Sequence, residues 1–243
     1  EPPAFGDIIS IPVDFTIPGQ EIAIQDLDEQ RSNVIELGIN HQDETLKFQA
    51  TAYHAWLKDE ILRFSPDPNV FTVGNQTGAN TNNTRHYGIE VGFDWTFWQS
   101  PASGGELSDQ LSILGQYTFR QHEFDGDAVF NDNDIAGVAP QLLYAELLYQ
   151  SRQNWYAGIN LSGAPESYPI DNANTFDVND YLLLGARAGW QGPKWGVFLE
   201  GRNLTDEEYA ADTFNVVDAG GSDQTSFFPG EGIGFNIGVK RSW

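Results

Sequence analysis

Residues 87–97, YGIEVGFDWTF, alternate with a period of two: Tyr87, Ile89, Val91, Phe93, Trp95 and Phe97 share one face, and Gly88, Glu90, Gly92, Asp94 and Thr96 the other. Successive side chains of a strand point to opposite sides, so such a run specifies an extended segment with two unlike faces and argues against a helix. The same period returns at 33–41, 46–53, 111–120, 142–150, 155–162, 181–190 and 195–202. It ends with Ile233, Phe235, Ile237 and Val239 set against Gly234, Asn236, Gly238 and Lys240. Nine strands are therefore expected. The abundance of Gly (25), Phe (16), Tyr (9) and Trp (7) favours strands in the same way.

Alternation alone does not say which face is wet. A soluble sandwich turns its polar face to water and packs the other into a core, whereas a membrane barrel turns the apolar face to lipid and the polar face to a lumen. Tryptophan placement separates the two. Trp95, Trp98, Trp155, Trp190, Trp195 and Trp243, six of the seven tryptophans, fall near one class of turn, as in the aromatic girdle of a bilayer interface. The connections agree. Tight turns at 42–45, 151–154 and 191–194 alternate with long segments at 57–86, 121–137, 163–180 and 203–232, and short turns are the periplasmic side of outer-membrane barrels. The segment 99–110 is long for that side.

Charge narrows the partners. With 12 basic against 35 acidic side chains the net charge is −23, which disfavours nucleic acid and anionic membrane surfaces and favours cations or a cationic ligand. The chain has no cysteine, hence no disulfide framework and no thiolate or Cys-zinc chemistry. It has no methionine and no signal-type leader, so the expectation is that it is the tail of a longer polypeptide. No apolar run approaches the ~20 residues that a helical span needs.

VFLEGRNLTDEEYA (197–210), followed by a long connection and FFPGEGIGFNIGVKRSW (227–243), resembles the strand, external loop, Pro-Gly turn and last strand with a terminal aromatic at the C-terminal end of TonB-dependent outer-membrane receptors. SNVIELGIN, HYGIEVGFDWTF and APESYPIDNANTFDVNDYLLLGARAGW resemble earlier barrel segments, so that the resemblance covers roughly residues 30–243.

The resemblance implies an all-β, transmembrane antiparallel β-barrel. Residues 1–243 would supply about nine C-terminal strands of a plugged barrel of about 22 strands, with the N-terminal plug and first strands absent from this chain. It implies an outer-membrane location in a Gram-negative bacterium. The implied partners are the N-terminal remainder of the receptor, TonB, outer-membrane lipid and lipopolysaccharide, and a small-molecule ligand. A ferric siderophore is the default cargo; cobalamin, another metal chelate or an oligosaccharide are alternatives, and a passive porin is the competing class. Phe235, Ile237, Val239 and Trp243 would form the signal by which the assembly machinery recognises the last strand. Arg241 departs from the family's usual aromatic on the lipid-facing parity, at the periplasmic end, where it can snorkel to headgroups.

By parity, Glu36, Glu90, Asp94, Arg120, Glu146, Arg187, Glu200 and Arg202 point inward. Charges there can hold a plug or line a ligand route. Arg120, His122 and Arg202 lie near the external end and are the candidate ligand contacts; Glu36, Glu90, Asp94, Glu146, Arg187 and Glu200 are expected to face the lumen or plug. No nucleophile, base and orienter assemble, so no enzyme is expected. His41, His54, His86 and His122 lack metal-ligand spacing, and no cofactor or bound metal is called for, except that the acidic external segments around 125–134 carry calcium-type ligands without EF-hand spacing. GEGIG (230–234) precedes a strand and is expected to shape a turn instead of binding a nucleotide.

Overall fold

The computed structural model describes residues 9–10, 23–24, 27–64, 77–101, 108–222 and 227–241. Every regular element among them is a strand. The main sheet contains β1 (Arg31–Gln42), β2 (Leu46–Lys58), β3 (Asn83–Gln99), β4 (Gln110–Phe124), β5 (Gln141–Gln150), β6 (Trp155–Ala164), β7 (Tyr181–Gln191), β8 (Trp195–Arg202) and β9 (Gly234–Arg241). These are the nine expected strands, most of them longer than the alternation alone marks. Each pairs antiparallel with its chain neighbours, so the sheet runs in sequence order with β1 and β9 as its edges. This nine-stranded meander is an open segment of a barrel wall.

Register carries the alternation across the sheet. Phe48, Phe93, Gly115, Ala145, Leu161 and Leu184 are successive cross-strand partners. Trp95, Ile113, Leu147, Ile159, Ala186, Gly201 and Phe235 form another apolar row. Between them runs the opposite face, along Lys47, Asp94, Leu114, Glu146, Asn160 and Gly185. A slip of one residue at any pair would exchange the two faces.

Among the described residues nothing packs on the apolar face: Ile159 is 57%, Phe235 66% and Ile237 80% exposed. Covering such side chains stabilises by about 25 cal/mol per Å² of apolar surface, and lipid supplies that cover in a barrel. At ~3.4 Å per residue the 17-residue β3 extends roughly 55 Å, well beyond what a tilted strand needs to cross the hydrocarbon.

The tight turns lie at one end. Asp43 shapes the first: its Oδ1 accepts from the Thr45 and Leu46 amides, both at 2.8 Å, and its Oδ2 contacts His41 Nε2 at 3.0 Å. Trp155 pairs with Trp190, and the Arg241 guanidinium lies 5.2 Å from the centre of the Trp195 ring. A register shift between Thr96 and Trp98 places Trp98 opposite Leu111 and leaves Phe97 as the extra residue. The bulge resets the alternation, so that Trp98 joins the outward aromatics while the Thr96 hydroxyl meets Ser112 Oγ at 2.9 Å on the polar face. Trp243 lies outside the described residues, as does Asp223 of the last long connection.

At the opposite end the long connections build a small core of their own, with Ala139, Ala164, Tyr168, Ile170 and Val178 at its centre and Phe176, Tyr181, Ala210 and Phe227 against it. Asp171, fully buried, ties the segments together. It accepts from the Thr175 amide (2.9 Å) and hydroxyl (2.7 Å), the Phe176 amide (3.1 Å) and the Ala219 amide (3.1 Å). Asn172 Oδ1 accepts from the Ala136 amide, and Asn174 exchanges two bonds with the Asp134 backbone.

Candidate functional site

The polar face of the sheet brings together the charged residues singled out from the sequence. Glu36 stands opposite Tyr53, and Glu90 lies between Thr51 and Thr118. Asp94 is 3.9 Å from Lys47. Glu146, 2% exposed, is bound by Arg187 through two contacts at 2.6 and 2.8 Å, and Tyr144 donates to it at 3.1 Å. Glu200 holds Arg202 at 2.9 and 3.3 Å. Most cations of this face therefore answer a carboxylate on the same or a nearby strand.

Glycines make these arrangements possible. The Glu146 carboxylate crosses Gly158 to reach Arg187, and a Cβ at Gly158 would lie 2.5 Å from Glu146 Oε1. Tyr53 lies over Gly88, Asn160 over Gly185, Tyr156 over Gly189 and Phe198 over Gly238. Large inward side chains thus lie flat along the wall instead of projecting from it.

The three candidate ligand residues do not form one cluster. Arg120 and His122 stand together near the outer end of β4, but Arg202 is on β8, four strands away, or roughly 19 Å at the usual strand spacing. Arg120 donates through Nε to the Ala139 carbonyl at 2.9 Å. The His122 ring stacks on His86 at 4.0 Å between centres. Glu60 joins them, contacting His86 Nε2 at 3.2 Å and accepting from the Thr84 hydroxyl at 2.5 Å. Burial opposes ionisation of Glu60, but the hydrogen bond and charge interaction with His86, followed by the Thr84 bond, outweigh it and leave its carboxyl below the usual value. Sequence spacing concealed this group, because His86 and His122 become neighbours only through the β3–β4 register.

The NLTDEEY and PGEGI stretches meet. Asn203, 3% exposed and at φ 47°, donates to the Glu207 and Glu231 carbonyls and accepts from the Glu207 amide. The Gly230 amide donates to the Tyr209 carbonyl at 2.7 Å. These bonds close the two ends of the last long connection and leave Tyr209 over the mouth of the wall. The acids at 125–134 are spent locally: Asp127 accepts from the Val129 and Phe130 amides, and Asp132 from Gly126. Among the described residues no three His, Asp or Glu side chains converge as metal ligands.

Below Tyr209 lies a cleft of about 450 Å³, lined on the wall by Gln116, Thr118, Tyr144, Ser162 and Leu183 and roofed by Tyr181 and Tyr209. The two roof rings are 4.6 Å apart.

Comparison with known proteins gives the same architecture. The chain is 25% identical over 194 residues to the "Ferrichrome outer membrane transporter/phage receptor" of Escherichia coli K12, a match covering 74% of this chain and 23% of that protein. The copper transporter OprC superposes with a TM-score of 0.66 at 15% identity, over 93% of this chain and 33% of that one. The ferric yersiniabactin uptake receptor FyuA of Yersinia pestis superposes with a TM-score of 0.63 at 17% identity, over 92% and 31%. The chain thus spans about a quarter to a third of the length of these proteins. The family model "TonB dependent receptor-like, beta-barrel" matches residues 2–204. The chain belongs to the TonB-dependent receptor β-barrel family.

Proposed function

We propose that this chain forms part of the wall of an outer-membrane receptor that takes up a scarce nutrient, with a ferric siderophore as the first candidate cargo. The observation that carries this reading is the pair of unlike faces: a bare apolar surface suited to lipid, backed by a polar wall whose charges are largely paired. Such a wall can border a water-filled or plugged passage without presenting uncompensated charge. The relatives named as transporters of ferrichrome and ferric yersiniabactin support an iron-chelate cargo. Energised transport by TonB, a plug and the remaining strands belong to the same proposal, and Arg120 with His122 at the outer end is its candidate ligand contact.

The test is radioactive iron uptake from ferric chelates in cells carrying the full receptor as their only such protein, with and without TonB. Uptake that requires both receptor and TonB supports the reading. Solute entry indifferent to TonB would replace it with a passive channel.

A further inference from the structure

We infer that the cleft beneath Tyr209 is a subsite for an uncharged ligand rich in hydroxyl, carbonyl or amide groups, and that the cargo of this receptor carries no net negative charge. The inference rests on the uptake reading above and adds the chemical class of what is taken up.

Charge is the first support. The external segments 125–140, 165–180 and 203–222 each carry four or five carboxylates and contain neither lysine nor arginine. An anionic chelate approaching this mouth meets repulsion over ~8 Å at physiological salt. Among the described residues of the wall, Lys47, Arg187 and Arg202 face Asp94, Glu146 and Glu200 respectively. Arg120, beyond Thr118 on β4, gives its Nε to the Ala139 carbonyl at 2.9 Å.

The lining is the second support. Among the described residues no Asp, Glu, Lys or Arg borders the cleft. The side chains of Gln116, Thr118 and Ser162 come from adjacent or near strands of the polar face and make no hydrogen bond with any described residue. Hydroxyl and amide groups each donate and accept, which suits neutral carbonyl, amide and hydroxyl partners. The Tyr181 and Tyr209 rings add apolar faces for the ligand's body. The volume of about 450 Å³ is within the range of small-molecule sites.

The experiment uses the full-length receptor in detergent, with binding followed by tryptophan fluorescence. The probes are an uncharged ferric trihydroxamate, an anionic ferric tris-catecholate and cyanocobalamin. The variants are Gln116→Ala/Ser162→Ala, whose side chains make no hydrogen bond with any described residue, and Tyr209→Phe; heat-dependent gel mobility verifies the folded barrel. The expected result is that the trihydroxamate binds, the tris-catecholate binds at least tenfold more weakly, and the double variant weakens trihydroxamate binding by about tenfold, as for two lost hydrogen bonds. If cyanocobalamin alone binds, with the same dependence on the double variant, the iron reading falls and the subsite stands. Tighter binding of the tris-catecholate, unchanged affinity in the double variant, or binding of no probe by a folded receptor would each overturn the inference.

Discussion

The carboxylate of Glu146 on β5 reaches the guanidinium of Arg187 on β7 by crossing the bare backbone of Gly158 on β6, with contacts of 2.6 and 2.8 Å. A charge pair that spans an intervening strand clamps three strands at once. Gly158→Ala places a methyl group 2.5 Å from Glu146 Oε1 and displaces the carboxylate. The full receptor should then lose thermal stability, by about 1–3 kcal/mol for the stranded polar group. Glu146→Gln should lose less, and an unchanged melting temperature in Gly158→Ala would mean that the clamp contributes nothing.

The two faces give a second expectation. Spin labels at Phe93 and Ile159 should be accessible to lipid-soluble oxygen, and labels at Glu90 and Asn160 to a water-soluble relaxant, because the first pair lies in apolar rows and the second in polar ones. The reverse accessibility would show that the register is displaced by one residue.

The turn at Asp43 predicts a response to acid. Hydrogen bonds from the Thr45 amide, His41 and the Leu46 amide hold its carboxyl well below the usual aspartate range. A carboxyl whose folded value is depressed contributes stability above its unfolded value, near 3.9, and that contribution is lost only as the pH falls through the folded value. Amide exchange at Thr45 and Leu46 should therefore stay protected through pH 4 or so. Asp43→Ala should remove the protection at every pH, and Asp43→Asn should retain it while abolishing its acid limb.

Asp134 should behave in the opposite sense. Burial, and behind it the charges of Asp177 and Glu166, raise its carboxyl, while the bond from Gln121 opposes the rise. Its contribution is full below the unfolded value and lost as the pH rises through the folded one. Asp134→Asn should accordingly make the external segments more resistant to limited proteolysis at neutral pH, with little difference near pH 3. A variant cleaved faster at pH 7 would contradict this.

The buried Asp171 is the external module's main fastener. Asp171→Ala strips partners from the Thr175, Phe176 and Ala219 amides and should cost about 3 kcal/mol or more locally. Proteolysis should then cut within 165–180 and 203–222 while the barrel band on a gel stays intact. Loss of the barrel itself would show that the module and the sheet fold as one unit.

Alternation made the sheet legible: a period of two at Tyr87–Phe97 or Trp195–Arg202 is a local property that register then extends to neighbours. The bulge at Thr96/Trp98 was not legible, because an extra residue shows only against a partner strand. The site was partly legible for the same reason. Parity gathered Glu146, Arg187 and Glu200 on one face, but the ring contact of His86 with His122 and the convergence of Tyr181 with Tyr209 depend on register and on long connections that carry no period. Asp171 resembled one more acid in an acidic stretch, and its burial follows from contacts with a segment more than forty residues away, at Val216 and Ala219.

Because every long strand hydrogen-bonds only to those before and after it in the chain, the wall can be assembled hairpin by hairpin, each step closing a loop of a few to about thirty residues. Loop closure grows costly only slowly with length, so these steps are entropically alike and the sheet can grow outward from any one hairpin in either direction. Among the described residues β1 and β9 each have one paired neighbour, so a rim strand is held by half the inter-strand hydrogen bonds of an interior one. Fraying of the described sheet therefore starts at its two rims and not along its interior.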